Sequence, residues 1–245
     1  SIRLIISLAA GFLAAHWFAG LGWSVAGVYS AIVLATGPTV VTPLVRQIRL
    51  ASPLSDVLEA EGLILEPIGA VLALLLLELV VGDLHGWKEL FLGLLSRLGG
   101  GVLIGSLAGL LLSEGLKRLR TEPYVGLRLQ LTLGVIFLLY GVCEWLLPES
   151  GLPASVAAGF VVGQRPSTQA NELDELIREL AQLAITMLFP LLAADVSWGE
   201  LSPLGWGGVI CVLFLMIVVR PIAVSIATYG LPLDNKQRLF LGWLA

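Results

Sequence analysis

Apolar runs long enough to cross a bilayer recur along almost the whole chain, and they constrain its fold more than any other feature. A membrane-spanning helix needs about 20 mainly apolar residues. Such runs fall at 2–20, 24–45, 57–82, 90–112, 129–147, 152–164, 180–197 and 204–229, with a ninth starting at 239. The short 152–164 run reads as a tilted span or as one that recruits Leu146 and Leu147. Of the 245 residues, 57% are hydrophobic and 13% charged, against ~25% charge in a water-soluble domain. That charge cannot coat a soluble surface of this size. The expectation is an all-α, polytopic membrane bundle forming one transmembrane domain over 1–245.

Loop charges predict the direction of the spans. Alternating them places Arg3, Arg46, Arg49, Lys117, Arg118, Arg120, Arg128, Arg165, Arg178, Lys236 and Arg238 on one face and Lys88 alone on the other. Basic loops mark the cytoplasmic side, and Trp23, Trp87, Trp145, Trp198 and Trp206 fall near the opposite face, as an interfacial aromatic belt does. No basic stripe with interleaved aromatics occurs, which argues against nucleic acid as a principal ligand. HExxH, GxSxG, P-loop and CxxC motifs are missing, so a membrane enzyme is disfavoured and no cofactor is implied. Cys143 and Cys211 sit in apolar runs and read as packing residues. The first run lacks the basic start and cleavage site of a signal peptide. With no initiating Met and an apolar end at 239–245, the sequence reads as a piece of a longer transmembrane protein.

Ionisable groups inside a bilayer cost ~2.5–3.5 kcal/mol each on insertion scales, so those that occur are functional candidates. Glu66 lies mid-span in 57–82 and is followed by Pro67; Arg220 lies within 204–229 and is followed by Pro221. Glu61 shares the span of Glu66 but projects about 140° away around the helix. The stretch ATGPTVVTP (35–43) places Gly37, Pro38 and Pro43 mid-span. A helix broken there must be buried in protein or line a wet cavity, and broken helices at mid-membrane carry the ion sites of secondary transporters. A structural buried acid is the plainer reading of Glu66, and snorkelling to the interface is that of Arg220. Arg97 either faces the same core or snorkels outward. Glu78, Glu144, His16 and His85 read as interfacial, and the glycines of 99–109 as a close-packing stripe. Ser167–Glu179 reads as a polar surface helix leading into the 180–197 span.

Three segments in order, ATGPTVVTPLVRQIR (35–49), EAEGLILEPIGAVLALL (59–75) and VVRPIAV (218–224), resemble the monovalent cation/proton antiporters of the NhaP-like branch. The likeness extends to GGGVLIG (99–105) and LFPLLAADV (188–196). It implies an incomplete NhaA-like antiporter fold with inverted repeats and broken helices, starting at the family's fourth span and ending as the twelfth begins. It also implies a homodimer in the cell membrane that exchanges a monovalent cation, Na+ or K+, for protons. By motif position, Thr36 matches the threonine near the ion, Glu66 the carboxylate that binds cation and proton, and Glu61 and Arg220 a structural ion pair. Gly37 replaces the aspartate of a Thr-Asp-Pro motif, Leu65 an asparagine, Gly62 a serine, and Glu66 itself an aspartate. No lysine occurs in 180–197, which favours electroneutral exchange. A channel-like or transport-dead sensor on the same fold is the alternative.

Overall fold

The computed structural model describes residues 2–34, 52–84, 86–118, 125–164, 170–197, 199 and 202–227. All regular structure among them is helical: α1 (Ile2–Trp17), α2 (Trp23–Leu34), α3 (Ser52–Val81), α4 (Trp87–Arg118), α5 (Val125–Leu146), α6 (Gly151–Gly163), α7 (Ala170–Asp195), α8 (Gly205–Phe214) and α9 (Arg220–Ala227). A five-residue π-helical turn, Leu215–Val219, joins α8 to α9. Among the described residues, five stretches are long and apolar enough to cross a membrane: Gly62–Val81, Trp87–Arg118, Gly126–Leu146, Ile177–Asp195 and Gly205–Ile226. Leu4–Trp17, Trp23–Leu34 and Gly151–Gly163 are apolar but shorter. The protein is an integral, multi-pass membrane protein.

The helices begin and bend where the sequence allows. Pro53 sits in the first turn of α3, where its missing N–H leaves no bond unmade. The polar segment 170–179 and the apolar 180–195 form one helix rather than two. Neither glycine nor proline falls between Ala170 and Phe189, and strong helix formers fill the junction. Pro221 lies two residues beyond the π turn, and there the sequence explains the widening. A proline ring collides with the carbonyl four residues earlier, and a wider turn moves that carbonyl aside.

The chain divides into two compact units, Ser1–Phe91 with Trp198–Ala245, and Leu92–Ser197. In the first, Ala14 and Ala15 of α1, Ala26 of α2, Cys211 of α8 and Leu215 and Val219 of the π turn form a buried core. Small residues dominate because membrane helices gain from close backbone approach rather than from expelling water. At the α1–α2 turn the His16 Nδ1–H donates at 2.8 Å to the Leu21 carbonyl, and the ring stacks on Trp23 at 3.6 Å.

In the second unit, Leu139 and Cys143 of α5 pack with Ala154 and Ala158 of α6, flanked by Ile104 and Ala108 of α4. Gly101, Gly105 and Gly109 repeat every four residues on α4, and each meets the backbone of α6 or the turn before it. The stripe therefore packs helices, as its spacing predicts. Outside this seam the large side chains are exposed, among them Leu111, Phe137 and Leu138, and no residue from Ile177 to Asp195 is buried. Lipid tails are the natural solvent for such faces.

Glu144 does more than sit at an interface. Its carboxylate accepts the Glu149 N–H at 2.9 Å and the Gly151 N–H at 3.0 Å, while the Ser150 hydroxyl donates to the Cys143 carbonyl at 3.0 Å. These bonds satisfy the turn and the first N–H of α6, and they hold Glu149 at a φ of 63°, a region uncommon for a residue with a side chain. Burial, reinforced by Glu144 and offset by Arg97, pushes the Glu149 carboxyl above its usual range. Replacing Glu144 with leucine leaves two N–H groups without acceptors, at about 1–3 kcal/mol each. Hydrogen exchange at Glu149 and Gly151 should then accelerate and the thermal midpoint fall. Unaltered exchange at both amides would rule the cap out.

Candidate functional site

The site is built on α3. Glu66 is half-buried near the centre of this thirty-residue helix. Gly62 and Gly69, one turn before and one turn after it on the same face, are buried. A carboxylate thus sits between two positions that carry no side chain, in a helix otherwise made of Leu, Ala, Val and Ile. Pro67 follows it inside the helix. Having no N–H, it leaves the Leu63 carbonyl without its helical donor, so α3 carries a freed backbone oxygen as well as a carboxylate.

The second part comes from α8, the π turn and α9. The Arg220 N–H bonds to the Leu215 carbonyl, an i to i+5 bond. Pro221 has no N–H to give, so Met216 receives neither its α-type nor its π-type donor. Arg220 itself is half-buried at the first position of α9. It lines a cavity of about 20 Å³ together with Ser7 of α1, Val33 and Leu34 of α2, Leu65 of α3, and Leu215 and Val219 of the π turn.

Of the residues the sequence singles out, Arg220 and Leu65 are brought to one cavity, with Glu66 the next residue along α3. Glu61 lies on α3 with its side chain outside the described residues. Thr36, Gly37, Pro38 and Pro43 fall wholly outside them. Leu65 is 3% exposed, so the position where the resemblance expects an asparagine is a buried apolar wall. Among the described residues, no group of three or more His, Cys, Asp or Glu side chains is placed to hold a metal. An alkali cation here would depend on one carboxylate, hydroxyls, freed carbonyls and water, which are the oxygen ligands such hard ions take. Ser7 escaped sequence reasoning. A lone serine inside RLIISLAAG is a weak signal, since most helical serines bond back to their own helix.

A mid-helix carboxylate and a π turn in an apolar helix are features found at the sites of secondary transporters. The transmembrane sodium/hydrogen exchanger family model matches residues 1–245, and the chain belongs to that family. The probable Na(+)/H(+) antiporter 2 of Methanocaldococcus jannaschii is 24% identical over 226 residues, 87% of this chain and 52% of its own length. The Na(+)/H(+) antiporter NhaH of Halobacillus aidingensis is 26% identical over 242 residues, 94% of this chain and 59% of its own. The solved structure of the sodium proton antiporter MjNhaP1 from Methanocaldococcus jannaschii superposes with a TM-score of 0.79 at 23% identity, over 99% of this chain and 60% of that one. The fold is therefore the antiporter fold. The chain spans between half and three-fifths of the length of these relatives.

Proposed function

We propose that these helices form the carboxylate-bearing part of a secondary transporter that exchanges a monovalent cation, Na+ or K+, for protons across the cell membrane by alternating access. The observation that carries the reading is Glu66, a half-buried carboxylate at the centre of a long apolar helix. Family membership and relatives titled antiporters support it. A carboxylate out of water is stabilised either by a proton or by a cation, so the two compete for one site. The freed Leu63 carbonyl, the Thr36 oxygens and water are the other ligands in this reading. With one carboxylate and no lysine in 180–197, exchange is electroneutral. The basic loops face the cytoplasm, and the 1–245 segment belongs to a single exchanger domain that dimerises in the full-length protein.

The test is proton/cation exchange by the full-length protein in everted vesicles, comparing Na+, K+ and Li+. Cation-dependent proton movement supports the reading. Its absence with all three, in folded protein, favours a transport-dead sensor, and current without coupled exchange favours a channel.

In the same reading Arg220 and Glu61 are architecture. A buried pair holds two helices in register, and removing one partner strands the other charge at about 3–5 kcal/mol. Arg220→Ala should therefore lower yield and thermal midpoint, while the residual protein keeps its ranking of Na+, K+ and Li+. A changed ranking at normal stability would make Arg220 part of the ion site instead.

A further inference from the structure

One stripe of α7 does not suit lipid. Thr186 is the middle residue of the apolar stretch Ile177–Asp195, with Gln182 one turn before it and Pro190 one turn after. At 3.6 residues per turn these three, with Ala193 beyond, fall within an arc of about 80°. All four are exposed. Pro190 has no N–H to give the Thr186 carbonyl four residues earlier, so that oxygen loses its helical donor. The Thr186 hydroxyl donates to the Gln182 carbonyl at 2.7 Å, and its lone pairs remain as acceptors. The Gln182 amide adds two N–H donors and a carbonyl acceptor. An amide, a hydroxyl and a freed carbonyl therefore share one face at the centre of a span, while Ala184, Leu188 and Leu191 occupy the other. Hydrocarbon has no partner for any of these groups, and leaving them unmet is costly. A dry helix packed on the stripe answers poorly, because its own backbone groups are already bonded within it. Water meets all three.

We propose that the Gln182–Thr186–Pro190 stripe of α7 lines a water-filled path that reaches the middle of the membrane in the full-length protein. Polar groups within spans face such cavities or the bundle interior and mark the routes of ions and protons. The freed Thr186 carbonyl and the Gln182 amide oxygen are neutral, hard ligands of the kind a partly hydrated monovalent cation takes. That a cation uses the path rests on the exchanger reading; that the stripe is wet does not.

The test introduces single cysteines into the full-length protein and treats membrane fragments, open on both sides, with a charged thiosulfonate that does not enter lipid. Cys143 and Cys211 are 0% and 1% exposed, and the unsubstituted protein sets the background. Gln182→Cys and Thr186→Cys should react about tenfold faster than Ala184→Cys and Leu188→Cys, because the reactive thiolate forms in water and not in apolar surroundings. The two pairs lie at matching depths on opposite faces, so depth alone cannot produce the difference. Equal rates on the two faces, or a stripe no faster than background, would overturn the proposal. A second comparison needs no cysteine. A carboxylate is costly in hydrocarbon, so Leu188→Glu should lose most of its membrane yield while Gln182→Glu keeps most of its own. Equal yields of these two would also overturn it. Neither readout involves transport, so a failed exchange assay counts against the proposed function alone.

Discussion

Glu66→Gln in the full-length protein is expected to reduce cation/proton exchange to the background of empty vesicles while leaving yield and thermal midpoint close to normal. Glutamine keeps the length and shape of the side chain, so the packing of α3 around the buried Gly62 and Gly69 is undisturbed. In the proposed exchanger, what it removes is the ability to bind a proton on one stroke and a cation on the other. The energetics favour coupling at this position. An ionised carboxylate in mid-membrane costs ~2.5–3.5 kcal/mol, and either a proton or a cation relieves that cost. If the proposed exchange holds, the charged, unoccupied site is the disfavoured form for crossing between outward and inward states, and leak without exchange is suppressed. Glu66→Asp gives the complementary test. It keeps the charge but withdraws it by one methylene, so exchange should persist with an altered preference among Na+, K+ and Li+. Full exchange by Glu66→Gln would remove Glu66 from the mechanism, and the mid-helix carboxylate would then be structural.

The departures from the family pattern acquire a physical meaning beside this carboxylate. Leu65 forms part of the cavity wall that Ser7 and Arg220 also line. Leucine, unlike an amide, makes that part of the wall apolar. Gly62 likewise offers no side-chain ligand one turn from Glu66.

Helical class was readable because it depends on two scalar properties, run length and apolarity, which a bilayer enforces without reference to tertiary detail. Glu66 and Arg220 stood out for the same reason, since a charge is conspicuous where charge is costly. Other features needed three dimensions. Glu144 reads as interfacial from its place near a span end, yet its role depends on a turn that aims the Glu149 and Gly151 N–H groups at it. Ser7 is indistinguishable in sequence from serines that bond back to their own helix. The π turn requires knowing how the helix resolves the conflict at Pro221. The surface helix expected over 167–179 was separated from its span on polarity alone, whereas backbone continuity follows the lack of a breaker up to Phe189. The stretch 35–43, where the sequence predicts a broken helix, lies outside the described residues.

The largest effect on stability is expected at Gly105. A methyl group built there overlaps the carbonyl oxygen of Ala154 and comes within 2.6 Å of its Cα. Backbone atoms of a helix cannot rotate away as a side-chain tip can, so α4 and α6 must separate along their length. Separation also opens the contacts of Gly101 with the Ser150 carbonyl and of Gly109 with Ala158, because all three glycines lie on one face at four-residue intervals. Overpacking a single site costs about 1–3 kcal/mol; here one methyl disturbs three neighbouring contacts, and Gly105→Ala should reach or exceed the top of that range. Gly134→Ala is the control. Nothing lies within 4 Å of a methyl at Gly134, and in a helix interior alanine is favoured over glycine by about 0.8–1.0 kcal/mol. The two identical substitutions should therefore move the thermal midpoint of the detergent-solubilised protein in opposite directions, down for Gly105 and up or level for Gly134. If Gly105→Ala unfolds with the unsubstituted protein, α4 and α6 do not meet backbone to backbone, and the glycine stripe needs another explanation.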